Sequence, residues 1–205
     1  MKNIAVLASG RGTNLQAIIE NVGNGTLHAI LACVISDNED ARVLERARKH
    51  NIKAIYLDPG PKKTWLIPEV EQNYVKTLQD HNVDLVCLAG FMRILKKPFL
   101  DAFAGRIINI HPALLPSFPG LNVQKKALDW GVKFSGCTVH FVDDTVDGGP
   151  IIVQAAVPVL DDDTPEKLAE RILKEEWRIY TEAINLVLSG KYKIDGRRVI
   201  RTDDR

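Results

Sequence analysis

The chain has no charge imbalance, no membrane-length apolar run and no metal-binding spacing. Of 205 residues, 27 are Lys or Arg and 26 are Asp or Glu. Without a basic excess there is no electrostatic footprint for nucleic acid, although a local anion site stays open. No apolar stretch approaches the ~18 residues of a membrane-spanning helix. The apolar run at 4–8 stops at Ser9-Gly10-Arg11-Gly12, so a strand is expected there and not a signal peptide. Cys33, Cys87 and Cys137 each sit inside an apolar run, with neither an even count nor metal-ligand spacing. They read as reduced core thiols of a cytoplasmic protein. Neither H-x-x-x-H nor C-x-x-C occurs, so no metal is expected. Ser9 and Ser117 lack a nucleophile elbow, which leaves covalent catalysis without support.

What is present is an alternation of strands and helices, with 45% hydrophobic residues to build a core. The continuous run at 4–8 suits a strand buried on both faces. Ser9-Gly10-Arg11-Gly12-Thr13-Asn14 then turns into a helix that Thr13 or Asn14 can cap, with Leu15, Ile18, Ile19 and Val22 as its apolar stripe. A strand over 29–35, a short basic helix over 41–50 and a strand over 54–57 complete a β-α-β-α-β order, the mark of a parallel nucleotide-binding half. After a Pro/Gly/Lys loop at 58–64 come an amphipathic helix over 69–81, a strand over 84–88, a short helix over 98–103 and a strand over 106–110. Residues 123–130 read as helix, and 135–142 with 151–158 as a hairpin-like pair. A long helix opens at Thr164-Pro165-Glu166 and stops at Gly190. The tail at 192–205 can add a small hairpin around Asp195-Gly196. With no linker and no repeat, residues 1–205 read as one α/β domain. Its expected core is a Rossmann-like mixed, mostly parallel sheet with helices on both faces.

Chemistry concentrates at the carboxyl ends of strands, where open α/β sheets bind ligands. The turn from Gly10 to Asn14 offers backbone N–H groups and a helix N-terminus to an anion. Leu15 stands where a dinucleotide fingerprint has its third glycine, and Asp37 is the one acid at the second strand's tip. A monophosphate therefore suits this loop better than a pyrophosphate. Asn109-Ile110-His111-Pro112 ends the fifth strand. Side chains two apart share a face, so Ile110 can stay in the core while Asn109 and His111 look out together. An amide is a fit oxyanion donor, and an imidazole a fit acid or charge-stabilising group. Pro112 and Pro116 stiffen the following loop. Asp147 precedes Gly148-Gly149, whose conformational freedom can hold it near a ligand. The spacing leaves open whether Asp147 meets His111 or only makes an Asp-Gly turn. Residues 90–95 could line a pocket for a flat apolar ligand or simply pack in the core. His140 reads as lying opposite the apolar face of its strand, His28, His50 and His81 as surface residues, and Glu176 as part of a solvated helix face.

Four segments carry a resemblance: Ser9-Gly10-Arg11-Gly12-Thr13-Asn14-Leu15, Ala89-Gly90-Phe91-Met92-Arg93-Ile94-Leu95, Asn109-Ile110-His111-Pro112-Ala113-Leu114-Leu115-Pro116, and 142–150. In order and spacing they closely resemble the phosphoribosylglycinamide formyltransferases, folate-dependent enzymes of purine synthesis. The resemblance implies formyl transfer from 10-formyltetrahydrofolate, as co-substrate, to the amine of glycinamide ribonucleotide. It implies Asn109, His111 and Asp147 as the catalytic trio. Gly12, Thr13, Asn14 and Glu176 would face the ribonucleotide. Met92, Arg93, Ile94, Leu95, Asn109, Asp143, Asp144 and Asp147 would face the folate. Partners are then small molecules, with no nucleic acid and no membrane, for a cytoplasmic monomer or homodimer.

Two departures stand out. The segment from Lys62 to Pro68 has no Arg where many members of that family carry one, with Lys63 as the available cation. Asn122 follows Pro-Gly-Leu where members often have His. Two alternatives remain: a 10-formyltetrahydrofolate hydrolase using the same trio, and a non-catalytic nucleotide-binding module. Formate release without the ribonucleotide would mark the first; affinity for NAD or flavin would mark the second.

Overall fold

Strand β1 (Lys2–Leu7) is buried from Ile4 to Leu7 on both faces, as an unbroken apolar run requires. The structure, a computed structural model, describes residues 1–202. By the density of its internal contacts the chain falls into two units, Met1–Asn109 and Ile110 onward.

In the first unit, β1 is followed by α1 (Thr13–Gly23), β2 (Ala29–Ser36), α2 (Arg42–Lys49) and β3 (Ala54–Tyr56). Then come α3 (Pro68–Asp80), β4 (Leu85–Leu88), α4 (Lys97–Ala102) and β5 (Ile107–His111), the last crossing into the second unit. The strands lie in the order β3-β2-β1-β4-β5, all parallel. The chain walks one way from β1 to β3 and then returns to β4 beside β1. Right-handed crossovers therefore put α1 and α2 on one face and α3 and α4 on the other; α1 packs against α2, and α3 against α4. The reversal between β1 and β4 makes the crevice beyond their carboxyl ends the ligand-binding position of such sheets. Ser9 follows β1 into that crevice and Gly90 follows β4. Ser9 N–H donates to the Gly90 carbonyl (3.0 Å), and the Met92 N–H donates to Ser9 Oγ (2.8 Å).

The second unit holds α5 (Val123–Asp129), β6 (Phe134–Phe141), β7 (Ile151–Pro158), α6 (Pro165–Ser189), β8 (Tyr192–Asp195) and β9 (Arg198–Arg201). Strands β6 and β7 pair antiparallel, with a register shift at Val139/His140. Strand β9 joins β7 in parallel at Ile151↔Arg198 and pairs antiparallel with β8. The long helix starts and stops where its sequence signals: Thr164 accepts the Lys167 N–H, Pro165 opens the first turn, and Gly190 ends it at φ 68°. The expected tail hairpin forms over β8 and β9; residues 203–205 of that expectation lie outside the described residues.

One local expectation needs correction. Neither Thr13 nor Asn14 caps α1; Gly12 occupies the N-cap in a left-handed conformation, φ 70°, with no side-chain cap. A Cβ on Gly12 would also lie 2.9 Å from the Val43 Cα, so the residue is glycine for its dihedral and for the close approach of α2. The face of β6 opposite its apolar residues, where His140 was expected, is buried as well. From Ser135 to Phe141 every residue is buried, His140 among them. Its polar residues are buried because they are hydrogen-bonded: Thr138 Oγ1 donates to the Ala113 carbonyl (2.7 Å) and accepts the Leu115 N–H (3.1 Å).

Candidate active site

The glycine turn after β1 is braced from behind by α2. Val43 N–H donates to the Gly10 carbonyl (3.0 Å), and Arg46 Nε donates to the Arg11 carbonyl (2.8 Å). The first hydrogen bond of α1 runs from Gln16 N–H to the Gly12 carbonyl (3.0 Å). Helix geometry leaves the N–H groups ahead of Gln16 outside that ladder, at the positive end of the helix dipole. Gly12, Thr13 and Asn14 supply this edge. Beside it, Asp37, Glu39 and Asp58 help line an open cavity of about 590 Å³ with Ser9 and Arg93. Three carboxylates make that cavity a poor seat for an anion, and the helix N-terminus is the part of the loop that suits one.

The segment from Gly90 to Leu95 divides by side chain. Met92 and Ile94 are exposed, Leu95 is core, and Gly90 turns at φ 73°. Of the expected folate-facing residues, Met92 and Ile94 present apolar side chains to solvent while the Leu95 side chain is buried. Arg93 is committed elsewhere. Its Nε donates to Asp37 Oδ2 (2.6 Å), and its Nη1 to the carbonyls of Lys62 (2.7 Å) and Lys63 (2.5 Å). This fork fastens the Lys-rich loop to the end of β2 and leaves chiefly the Arg93 backbone for a ligand. Below it, the buried Glu71 accepts the Lys96 N–H (2.5 Å) at the start of α4. Burial pushes the Glu71 carboxyl above its ordinary range, against the pull of the backbone N–H groups it accepts.

Asn109 is half-buried at the end of β5, in register with Leu88. Two residues on, His111 is buried, with a definite set of partners. Its Nε2 lies 3.0 Å from the Phe118 carbonyl, and its Nδ1 lies 3.5 Å from Asp147 Oδ2. A carbonyl can only accept, so His111 donates from Nε2 and turns Nδ1 toward the carboxylate. Phe118 sits at φ 54°, a region a bulky residue rarely adopts, and this turns its carbonyl to the imidazole. The loop leading there contains the cis peptide Leu115–Pro116. It is tied to β7 through Gln154, whose Nε2 donates to the Leu115 carbonyl (2.9 Å) and to Thr138 Oγ1 (2.9 Å).

Asp147 does meet His111, the point that spacing left open. How it does so differs from expectation. Asp147 itself takes the left-handed conformation, φ 52°, rather than leaving it to the following glycines. Gly149 is needed for close approach: a Cβ there would lie 1.9 Å from the Phe141 carbonyl. Asp147 Oδ2 also accepts the Gly120 N–H (2.8 Å), and Oδ1 lies 3.7 Å from His140 Nε2. His140 donates from Nδ1 to the Phe141 carbonyl (2.8 Å), and burial pushes its pKa below the ordinary histidine value. It is therefore neutral near pH 7, with its Nε2 lone pair toward the carboxylate. Asp143 Oδ1 accepts the Thr145 N–H (2.9 Å) and hydroxyl (2.5 Å), closing the turn that carries Asp147, while Asp144 is exposed.

Glu176 is buried on α6, not on a solvated face. It lies near Cys137, whose thiol burial pushes up to about 12, with the Glu176 charge adding to the effect. Cys33 is likewise pushed to about 12, so both thiols are inert at neutral pH. Asn122 stands at the N-cap of α5 in a left-handed conformation, φ 57°, which Asn tolerates better than most residues. Among the described residues no group of three or more His, Cys, Asp or Glu side chains is placed to hold a metal ion.

The formyl transferase family profile matches residues 2–184, and so takes in the glycine turn, the 90–95 segment, β5 and the Asp147 turn. The chain belongs to the formyl transferase family. It is 42% identical over 195 residues to a phosphoribosylglycinamide formyltransferase of Haemophilus influenzae, covering 95% of this chain and 91% of that protein. The crystal structure of glycinamide ribonucleotide transformylase 1 from Symbiobacterium toebii superposes with a TM-score of 0.94 at 53% identity, covering 99% and 95% of the two chains. This agreement bears out the α/β fold expected from the alternation of strands and helices. A trifunctional purine biosynthetic protein of Drosophila melanogaster is 45% identical over 192 residues, but the chain spans only 14% of that relative's length.

Some of these residues carried no functional signal in the sequence. His140 looks like any strand histidine. Thr138 and Gln154 act on a loop remote in sequence. The alternation in 135–142 put His140 and Thr138 on one face, and that was the single usable hint.

Proposed function

We propose that this chain transfers the formyl group of 10-formyltetrahydrofolate to the amine of 5-phosphoribosylglycinamide. The observation that supports it most is the approach of Asp147 to His111, 3.5 Å, two residues beyond Asn109 on β5. The near full-length identity to phosphoribosylglycinamide formyltransferases points the same way. Because the family match runs from residue 2 to 184, we read both units as one formyltransferase domain.

In this reading the ribonucleotide phosphate is held by Gly12, Thr13 and Asn14, with Glu176 toward the glycinamide. The folate is held by Met92, Ile94 and the Arg93 and Leu95 backbone, with Asp143 and Asp144 on the turn. The substrate amine attacks the formyl carbon. The Asn109 amide and the His111 imidazolium stabilise the tetrahedral oxyanion. Asp147 holds the imidazolium and, through water, helps move the proton from the attacking nitrogen to the folate nitrogen. The bond from carbon to that nitrogen then breaks, releasing tetrahydrofolate and the formylated amine. No metal is required. The three free, buried cysteines suit a reducing, cytoplasmic compartment.

The test is a folate absorbance assay with each substrate omitted in turn. Product formation that depends on both substrates is expected. Formate release that proceeds without the ribonucleotide would replace this reading with a hydrolase.

A further inference from the structure

The hairpin of β8 and β9 lies beyond the family match, which ends at residue 184, and none of the steps above uses it. Its contacts converge on one place. On the entry side of the Asp147 turn, the Tyr192 ring packs on Phe141, with centroids 5.6 Å apart. On the exit side, Arg198 pairs with Ile151 where β9 meets β7. In the turn itself, Arg197 donates from Nη2 to the Gly148 carbonyl at 2.5 Å. The hairpin is anchored in turn by Arg201, which pairs with Glu182 of α6. Entry, turn and exit are thus each held by the same two-stranded element.

This bracing has a clear object. Asp147 sits in a left-handed conformation that a non-glycine residue rarely holds, and the turn before it is exposed from Asp144 to Val146. Left to its own short-range bonds, from Asp143 to Thr145 and from Gly148 N–H to the Thr145 carbonyl (3.2 Å), such a turn samples other conformations. Each would move a carboxylate that must stay beside His111. A guanidinium on the carbonyl next to Asp147 is a charge-assisted hydrogen bond, stronger than a neutral one.

We propose that the C-terminal hairpin is a positioning element for Asp147, and that Arg197 is the positioning residue that locks the turn. Its kinetic consequence rests on the proposed formyl transfer; its structural consequence does not.

The test compares the full chain with Arg197→Ala, Arg197→Lys and Arg198→Ala, the last removing the same charge one residue along. Amide hydrogen exchange at Thr145 and Gly148 is read first. Arg197→Ala should speed it about tenfold, Arg197→Lys less, and Arg198→Ala not at all. Formylation kcat of Arg197→Ala should fall about tenfold, with both KM values within about twofold. In an Asp147→Asn background the same substitution should cost nothing further, because the group it positions is gone. Unchanged exchange in Arg197→Ala overturns the proposal, and so does a kcat loss that persists undiminished beside Asp147→Asn. If the full chain transfers no formyl group, the proposed function fails, and the exchange data alone judge the hairpin.

Discussion

His140 Nε2 lies 3.7 Å from Asp147 Oδ1, on the carboxylate oxygen that His111 does not face. Asp147 therefore stands between two imidazoles. His111 faces the carboxylate with Nδ1. His140 is buried and neutral near pH 7 and offers a lone pair. A proton arriving on Oδ1 would meet that lone pair. His140→Phe keeps the ring's bulk and removes this acceptor. It should lower kcat about tenfold while leaving substrate KM values close to wild type. Turnover within twofold of wild type would show that Asp147 works without its second imidazole.

Asn109→Ala and Asp147→Asn each remove a group that the proposed mechanism sets against developing charge. Losing one oxyanion donor typically costs about 10²–10³ in kcat. Both variants should fall in that range with circular dichroism unchanged, since neither side chain belongs to the apolar core. Near-normal formylation by either would remove that residue from the mechanism.

Gly12→Ala meets two obstacles together. The left-handed φ of 70° costs an L-residue roughly 1–2 kcal/mol, and the new Cβ would press on the Val43 backbone. A loss of about 2–4 kcal/mol in urea unfolding is expected, along with weakened binding of the phosphate-bearing substrate. A variant as stable as wild type would mean that α2 yields to the intrusion.

Glu71 supplies a pH test. Its folded-state pKa is raised above the ordinary 4.5, chiefly by burial. A carboxyl raised on folding favours the protonated, neutral form in the native state. At pH below 4.5 it is neutral in both states and carries no penalty. As pH rises from 4.5 through the raised value, the native state must bury a charge, and stability falls. Glu71→Gln removes that ionisation while leaving an oxygen for the Lys96 N–H. Its unfolding free energy should be flatter with pH across this window. Parallel wild-type and variant curves between pH 4 and 7 would contradict a buried, raised Glu71.

Much of the frame can be traced to local physics. The run from Ile4 to Leu7 could only be a buried strand, and Thr164-Pro165 with Gly190 bounded α6 to the residue. Asn109 and His111 were placed on one strand end by a two-residue period alone. Local reasoning failed where a distant element supplied the deciding atom. Thr13 and Asn14 look like caps, yet Val43 of α2 approaches so closely that Gly12 takes the N-cap. Glu176 has the spacing of a solvated residue, yet α6 packs against β6 and β7 with that side inward.

By itself, then, the sequence determined the order of elements, the strand ends bearing Asn109 and His111, and the glycine turn after β1. These follow from hydrophobic period, proline and glycine, which act over a few residues. Tertiary structure alone decided that Asp147 reaches His111 and that His140 backs it. It also committed Arg93 to Asp37 and set the C-terminal hairpin on the turn that carries Asp147. Each of these is a contact between residues tens of positions apart, set by strand order and close packing, and no local pattern encodes it.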